Sequence, residues 1–382
     1  MKVCLVHNLW GKVARGGAES TLVLIADHLK NQGHEVVIIT TDSFNSHFSN
    51  DAGITVYSIK SQYLRLSTWP TWRKLLWHLV HSFDVYVYFK LKKIIKSEKP
   101  DLIWTHNLVG FGFLIFCLIK KLKLRHFHSI HDLQLLHPSG LLLRHQEKII
   151  DTFFAHAYQA MIIASFPVTT KVISPSSWIL DIYKAHGFFK NNKCLVAANP
   201  VKSIIENISE QSENKLSGNF TFLYVGQIEA HKGIKILIEA FKNIQNKNIG
   251  LMCVGEGTYL NYLQAHTQDD HVEYLGKQSP AKVQEIMQTA DCLVVPSLCY
   301  ENLPTVILEA RAVGLPVIGS NFAGIKEMLR AEELLFEPKV EELEKKLKWV
   351  LDHQIEVKNI FVANSTLTNT ISVKDYCQKL TI

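Results

Sequence analysis

Apolar residues recur along the chain in short blocks that alternate with stretches of helical spacing. Val3–His7 is a block of this kind. After a loop ending Arg15-Gly16-Gly17-Ala18-Glu19, the apolar positions Leu22, Ile25, Ala26 and Leu29 fall three or four apart, predicting a helix over Ser20–Asn31. Gly33 stops that helix and Glu35–Thr40 reads as the next strand, which completes a βαβ unit. Further strands are expected near Ile54–Ile59, Asp101–Thr105, Arg125–His128 and Lys171–Ser174, with a long helical stretch from about Thr71 to Glu98 and a helix starting near Pro175. A second series has strands at Phe220–Val225, Ile249–Val254, Val272–Leu275, Cys292–Pro296 and Pro316–Gly319, with helices near Ile234–Gln245, Ser279–Thr289, Thr305–Val313 and Val340–His353. Strands alternating with helices in both halves predict two α/β domains, each a doubly wound parallel sheet covered by helices. Ligands of such sheets bind beyond the carboxyl ends of the strands, so two domains facing each other would enclose one cleft.

Residues 203–219 are rich in Ser, Asn and Glu and form the best linker candidate, which sets the expected domains at 1–202 and 203–364. The tail, 365–382, is expected to pack back on the first domain. Charge is divided unevenly: residues 1–200 hold 23 Lys or Arg against 12 Asp or Glu, and the rest hold 18 against 23. The positive field therefore belongs to one domain, which argues against a polyanion grip over the whole surface. No secretory leader is evident before the first strand. The longest apolar run, Phe111–Ile119, is about half of the ~20 residues a membrane span requires. Seven cysteines without a C-x-x-C pair read as reduced thiols, which excludes zinc fingers and disulfide scaffolds and favours a cytoplasmic location.

Four segments carry candidate chemistry. Gly16-Gly17 opens a helix directly after a strand, where backbone N–H groups and the helix dipole suit an anion; a tight turn packed on the sheet is the alternative. In the second half, Gly226-Gln227-Ile228-Glu229-Ala230-His231-Lys232-Gly233 occupies the same kind of place. Lys232 at a helix start opposes the dipole unless an anion lies between them, which favours phosphate over a solvated loop lysine. Pro296–Ala310 runs from a strand end through a loop into a helix, with Glu301 in the loop and Glu309 inside an apolar helix. Sugar hydroxyls are good donors to such carboxylates, although an isolated Glu309 would more simply face water or pair with Arg311. His131-Asp132 ends a strand of the first half and, taken alone, reads as an ordinary loop pair. His126 and His128 share one strand face without a third ligand, so no metal site is expected.

Taken in order, these residues resemble the retaining nucleotide-sugar glycosyltransferases of family four, also called group 1, which have the GT-B architecture. The resemblance spans the chain: Gly16 to Glu19, Lys99-Pro100-Asp101, His131-Asp132, Ile173 to Ser176, Asn199-Pro200-Val201, Lys232-Gly233, the E-x7-E pair Glu301 and Glu309, Ala312 to Ile318, and Gly324. It implies that Gly16 and Gly17 approach the donor diphosphate and that His131 lies beside the transferred sugar. Lys232 would hold the leaving diphosphate, Glu301 would orient the sugar, and Glu309 would accept from the ribose. Amides around Leu303, Pro304, Thr305 and Val306 would complete the anion site. Gln227 stands where family members often carry arginine; it can donate a hydrogen bond but brings no charge, and losing one preorganised donor can cost ~10²–10³ in rate.

The implied reaction is sugar transfer from a UDP- or GDP-sugar to a hydroxyl acceptor with retention, needing no metal or other cofactor, in the synthesis of cell-surface polysaccharide, lipopolysaccharide or glycolipid. A non-catalytic sugar-nucleotide binder and an epimerase of the same fold are the alternatives. Between Lys60 and Lys99, nine Lys or Arg residues interleave with Tyr63, Trp69, Trp72, Trp77, Tyr86 and Tyr88. That pattern suits an anionic membrane surface near a glycan or lipid-linked acceptor, or else a helix with an ordinary solvated basic face. No nucleic-acid recognition module is evident.

Overall fold

The structure, a computed structural model, describes residues 1–11, 16–42, 47–51, 53–61, 69–70, 73, 77, 80–200, 220–246, 248–267, 269–365 and 372–382. The chain forms two compact units, Met1–Pro200 with Val373–Ile382, and Val201–Ser372.

In the first unit the elements run β1 (Lys2–Val6), α1 (Gly17–Asn31), β2 (Glu35–Asp42), β3 (His47–Asp51), β4 (Ile54–Lys60), α2 (Val85–Glu98), β5 (Leu102–Thr105), α3 (Leu114–Leu122), β6 (His126–Ser129), α4 (Phe153–Ser165), β7 (Lys171–Ser174), α5 (Ser177–Ala185) and β8 (Lys193–Val196). Their sheet order is β3-β4-β2-β1-β5-β6-β7-β8, parallel throughout except for the β3–β4 pair. β1 lies at the centre, and Val3, Cys4, Leu5 and Val6 are buried as a continuous apolar run, as a strand covered on both faces requires. The chain moves one way along the sheet from β1 to β2 and the other way from β4 through β8. Right-handed crossovers therefore place α1 on one face and α2 to α5 in a row on the other.

The helical stretch expected from Thr71 to Glu98 is interrupted: Arg73, Trp77, Val80 and His81 are helical, and the chain then breaks at 82–84. Asp84 Oδ1 accepts from the Val87 N–H at 3.0 Å, so a new helix is capped there, and Ser82-Phe83 forms a turn just before it. Most of residues 71–79 lie outside the described residues. The closing helix, Val373–Leu380, belongs to the first unit: Tyr376 stacks on Trp104 with ring centroids 6.3 Å apart, and the Leu380 carbonyl accepts from Lys171 Nζ at 3.1 Å.

The second unit is a six-stranded parallel sheet ordered β11-β10-β9-β12-β13-β14, with β9 (Phe220–Val225), β10 (Ile249–Val254), β11 (Val272–Gly276), β12 (Cys292–Val295), β13 (Val317–Ser320) and β14 (Leu335–Phe336). Around it lie α6 (Ile234–Lys242), α7 (Leu260–His266), α8 (Pro280–Thr289), α9 (Thr305–Ala312), α10 (Ala323–Leu329), α11 (Val340–Asp352) and α12 (Gln354–Ser365), and the last helix of the chain is α13 (Val373–Leu380). Central β9, flanked by β10 and β12, makes the strand-end loops 226–233 and 296–304 neighbours. That adjacency positions the site.

Candidate active site

In the second unit, the loop after β9 closes with a 3₁₀ turn, Ala230–Lys232, and Gly233 in the left-handed region at φ 74°. A side chain at Gly233 would bring its Cβ to 1.8 Å from the Pro296 carbonyl oxygen, so only glycine lets this loop lie against the one after β12. The contact carries Lys232 to Glu301: Nζ donates to Oε1 at 2.5 Å. The same Oε1 accepts from Ser297 Oγ at 2.9 Å and from Cys299 Sγ at 3.6 Å. Oε2 has no partner among the described residues.

Electrostatics keeps both groups charged. Burial disfavours the Lys232 ammonium, but the Glu301 carboxylate outweighs it and raises the lysine pKa. Burial likewise opposes ionisation of Glu301, and Lys232, Ser297 and Cys299 overcome it, lowering that pKa. The pair contributes fully around neutral pH. Its contribution is lost in acid as Glu301 takes up a proton and in strong base as Lys232 releases one.

The loop is fixed from the far side as well. The Gly324 N–H donates to the Glu301 carbonyl at 2.9 Å, and a Cβ on Gly324 would lie 1.7 Å from the Asn302 carbonyl oxygen. Ser320 Oγ donates to the Ser297 carbonyl at 2.9 Å, tying β13 to the same loop. Leu303 and Pro304 lead into α9, which opens at Thr305 and Val306, where N–H groups lack helical partners and suit an anion. Glu309 follows on the exposed side of that helix, yet the protein crowding its carboxyl raises its pKa, partly offset by the Thr305 hydroxyl. It forms no ion pair among the described residues; Arg311 donates instead to the Met328 carbonyl. The Gln227 side chain is exposed, and the Gln227 backbone carbonyl accepts from the Tyr224 hydroxyl at 2.7 Å.

The first unit gathers its candidates at the carboxyl ends of β1, β5 and β6. His131 Nε2 lies 2.9 Å from His106 Nδ1, and the rings stack with centroids 5.2 Å apart. His7 stands about 6 Å from both rings, its Nδ1 accepting from the Leu9 N–H at 3.0 Å. Burial pushes His131 down to about 4 and His7 down to about 3, and drives His106 well below its usual value, so all three are neutral at pH 7. Asp132 goes the other way. Burial pushes its carboxyl up to about 7, against donation by the Gln134 N–H and Asn107 Nδ2, and with help from the Glu19 charge. Glu19 sits in the first turn of α1, which begins at Gly17 with Gly16 as its N-cap. Gly16, Gly17 and His131 thus share this end of the first unit, with a carboxylate beside the helix start.

His7, His106 and Asn8 were not expected at the site. Buried His7 Nε2, His106 Nε2 and both Asn8 side-chain polar atoms have no partner among the described residues. No local pattern marks them, since they converge only through the pairing of β1 with β5 and β5 with β6. His126 and His128 are buried in a hydroxyl ladder: Thr105 Oγ1 is 2.8 Å from each ring, and Thr170 Oγ1 is 2.8 Å from the other nitrogen of His126.

Two doubly wound sheets with loop sites at their strand ends define the class. Residues 15–203 match the family described as Glycosyltransferase Family 4, and residues 205–366 match Glycosyl transferases group 1. The chain is 25% identical over 345 residues to an uncharacterized 42.6 kDa protein in the cps region of Klebsiella pneumoniae, covering 86% of this chain and 88% of that one. In fold it is similar to sucrose-phosphate synthase from Thermosynechococcus elongatus (TM-score 0.74, 18% identity, 100% and 98% of the two chains covered). It is also similar to Anabaena HepE in complex with UDP-glucose (TM-score 0.71, 17% identity, 100% and 99% covered). The fold is that of the GT-B glycosyltransferases. The chain belongs to the family-four, group 1 glycosyltransferases.

Proposed function

We propose that the protein transfers a sugar from a nucleoside-diphosphate sugar, UDP-linked before GDP-linked, to an acceptor hydroxyl with retention of anomeric configuration and without a metal. One observation carries the reading: three donors converge on one oxygen of Glu301 while its other oxygen engages none of the described residues. That oxygen is fit to accept from a sugar hydroxyl, and the Lys232 ammonium beside it is fit to meet a diphosphate. The structural neighbour holding UDP-glucose supports the choice of base.

In the proposed reaction the bond between the anomeric carbon and the bridging phosphate oxygen breaks, and its electron pair leaves with the diphosphate. Lys232 and the opening N–H groups of α9 offset that charge. The acceptor oxygen bonds to the anomeric carbon from the same face, and its proton passes to the departing phosphate. Glu309 accepts from the nucleotide ribose, neutral His131 hydrogen-bonds the transferred sugar, and Gly16 and Gly17 let the backbone approach the donor. The acceptor is a glycan or lipid-linked hydroxyl.

A sugar-nucleotide binder without turnover is the second reading, favoured by the uncharged, exposed Gln227. The experiment is a panel of UDP- and GDP-sugars with product analysis by proton NMR. We expect nucleoside diphosphate release with one donor and a product whose anomeric configuration matches that donor. Inversion would overturn the mechanism, and binding without release would favour the second reading.

A further inference from the structure

α4 reads FFAHAYQAMIIAS and holds no Lys, Arg, Asp or Glu. Its inner side is pinned to the segment between β6 and α4: Tyr158 Oη donates to the Gln134 carbonyl at 2.7 Å, and Gln159 Nε2 donates to the Leu136 and Ile150 carbonyls. A helix fixed in this way ordinarily turns polar residues outward. Here the outward side is mostly apolar, its polar exception being exposed His156, 3.9 Å from Asp151. Phe153 is 80% and Phe154 81% exposed, their rings side by side with centroids 5.8 Å apart, and Met161 one half exposed follows two turns later. Adjacent exposed phenylalanines on a rigid helix are the kind of patch that marks an interaction surface.

The surroundings indicate what covers it. α3 packs between α2 and α4 on the same sheet face. α2 exposes Val85, Tyr86 and Phe89 in its first turns and then carries Lys90, Lys92, Lys93 and Lys96, and α3 ends with Lys120 and Lys121. The single acidic residue in the three helices is Glu98, already engaged by Lys2 and the Tyr57 hydroxyl. In a parallel α/β layer the helices start at the strand carboxyl ends, so the aromatic residues line that margin and the lysines lie toward the other. No helix among the described residues is long and apolar enough to cross a membrane.

We propose that this layer seats on an anionic bilayer surface, with Phe153 and Phe154 entering the headgroup–acyl boundary and the lysines of α2 and α3 meeting lipid phosphates. α2 lies within the basic and aromatic stretch 60–99 expected to meet such a surface, and α3 and α4 extend that surface beyond it. Trp77 is buried, Trp69 is stacked beneath Arg73 at 4.1 Å, and Tyr63 and Trp72 lie outside the described residues.

Flotation of the full chain with vesicles tests it. At low salt the protein is expected to rise with vesicles containing phosphatidylglycerol and to remain behind with phosphatidylcholine alone. Phe153→Ser with Phe154→Ser should cut partitioning by roughly tenfold or more. Lys120→Gln and Lys121→Gln should each cut it by about fivefold. Circular dichroism of each variant should match the parent, because the replaced side chains are on the outer side. The proposal is overturned by absence from the anionic vesicles, by equal partitioning of the phenylalanine variant, by duplex DNA binding that competes away the vesicles, or by gel filtration showing a parent dimer that this variant splits.

Discussion

Replacing Lys232 with alanine is expected to lower kcat for nucleoside diphosphate release by roughly 10²–10³-fold. Lys232 is the only lysine or arginine in the loop 226–233, and Gln227 adds no charge there. Removing it therefore strips the leaving diphosphate of its cation in that loop. A second loss accompanies the first: Glu301 keeps only Ser297 and Cys299 as donors, and burial then raises its pKa. Lys232→Ala should thus move the acid limb of the pH–rate profile upward as well as reduce the plateau. Lys232→Arg, which keeps the charge with different geometry, should recover part of the rate. Steady-state assays on the preferred donor across pH 5 to 8 would show both effects. A loss smaller than about fivefold with an unmoved profile would remove Lys232 from the chemistry.

Acid should unfold the first unit well before carboxylate protonation accounts for it. His7, His106, His126 and His128 are essentially inaccessible, and burial holds each far below its ordinary pKa of 6.5. Near pH 5 these rings are neutral in the folded chain and charged in the unfolded one. With His131, which burial holds at about 4, the unfolded state then binds about five more protons, so stability is present above pH 6.5 and lost as pH falls. Asp132 acts in the opposite sense. Its carboxyl, at about 7 against an ordinary 3.8, holds a proton in the folded state that the unfolded state lacks at pH 5. The net of about four protons corresponds to a slope of about 5 kcal/mol per pH unit, comparable with the whole stability of a domain within two units. Thermal melts followed by far-ultraviolet circular dichroism should fall steeply between pH 6.5 and 4.5. A melting temperature constant over that interval would contradict the burial of these histidines.

Much of this architecture is legible in the order of residues, because buried parallel strands are continuous apolar runs and their helices show a clear period. β1, α1, β9 and α6 illustrate both. Edge elements are harder to read. β8 is half-exposed with mixed residues, and β14 has only two residues, so neither produces a pattern. The break before α2 is carried by one carboxylate, Asp84, in a segment whose apolar spacing otherwise continues. At the candidate site, Lys232, Glu301 and Glu309 stand out because their charges interrupt apolar or glycine-rich surroundings. What the order of residues does not reveal is that Lys232 and Glu301, 69 positions apart, bond to one another. The histidines at the ends of β1 and β5 are equally silent. Each is a lone polar residue after an apolar run, and only strand pairing brings them to His131. The outward phenylalanines of α4 carry a misleading signal, since an uncharged apolar helix reads as buried on every side.

The central claim is that the loops of the second unit form a sugar-nucleotide site organised by Glu301. Its most direct test is nucleoside diphosphate release from the preferred donor by the parent chain and by Glu301→Ala, at matched folding by circular dichroism. The account predicts that release is abolished in the variant, whereas full activity without that carboxylate would contradict it.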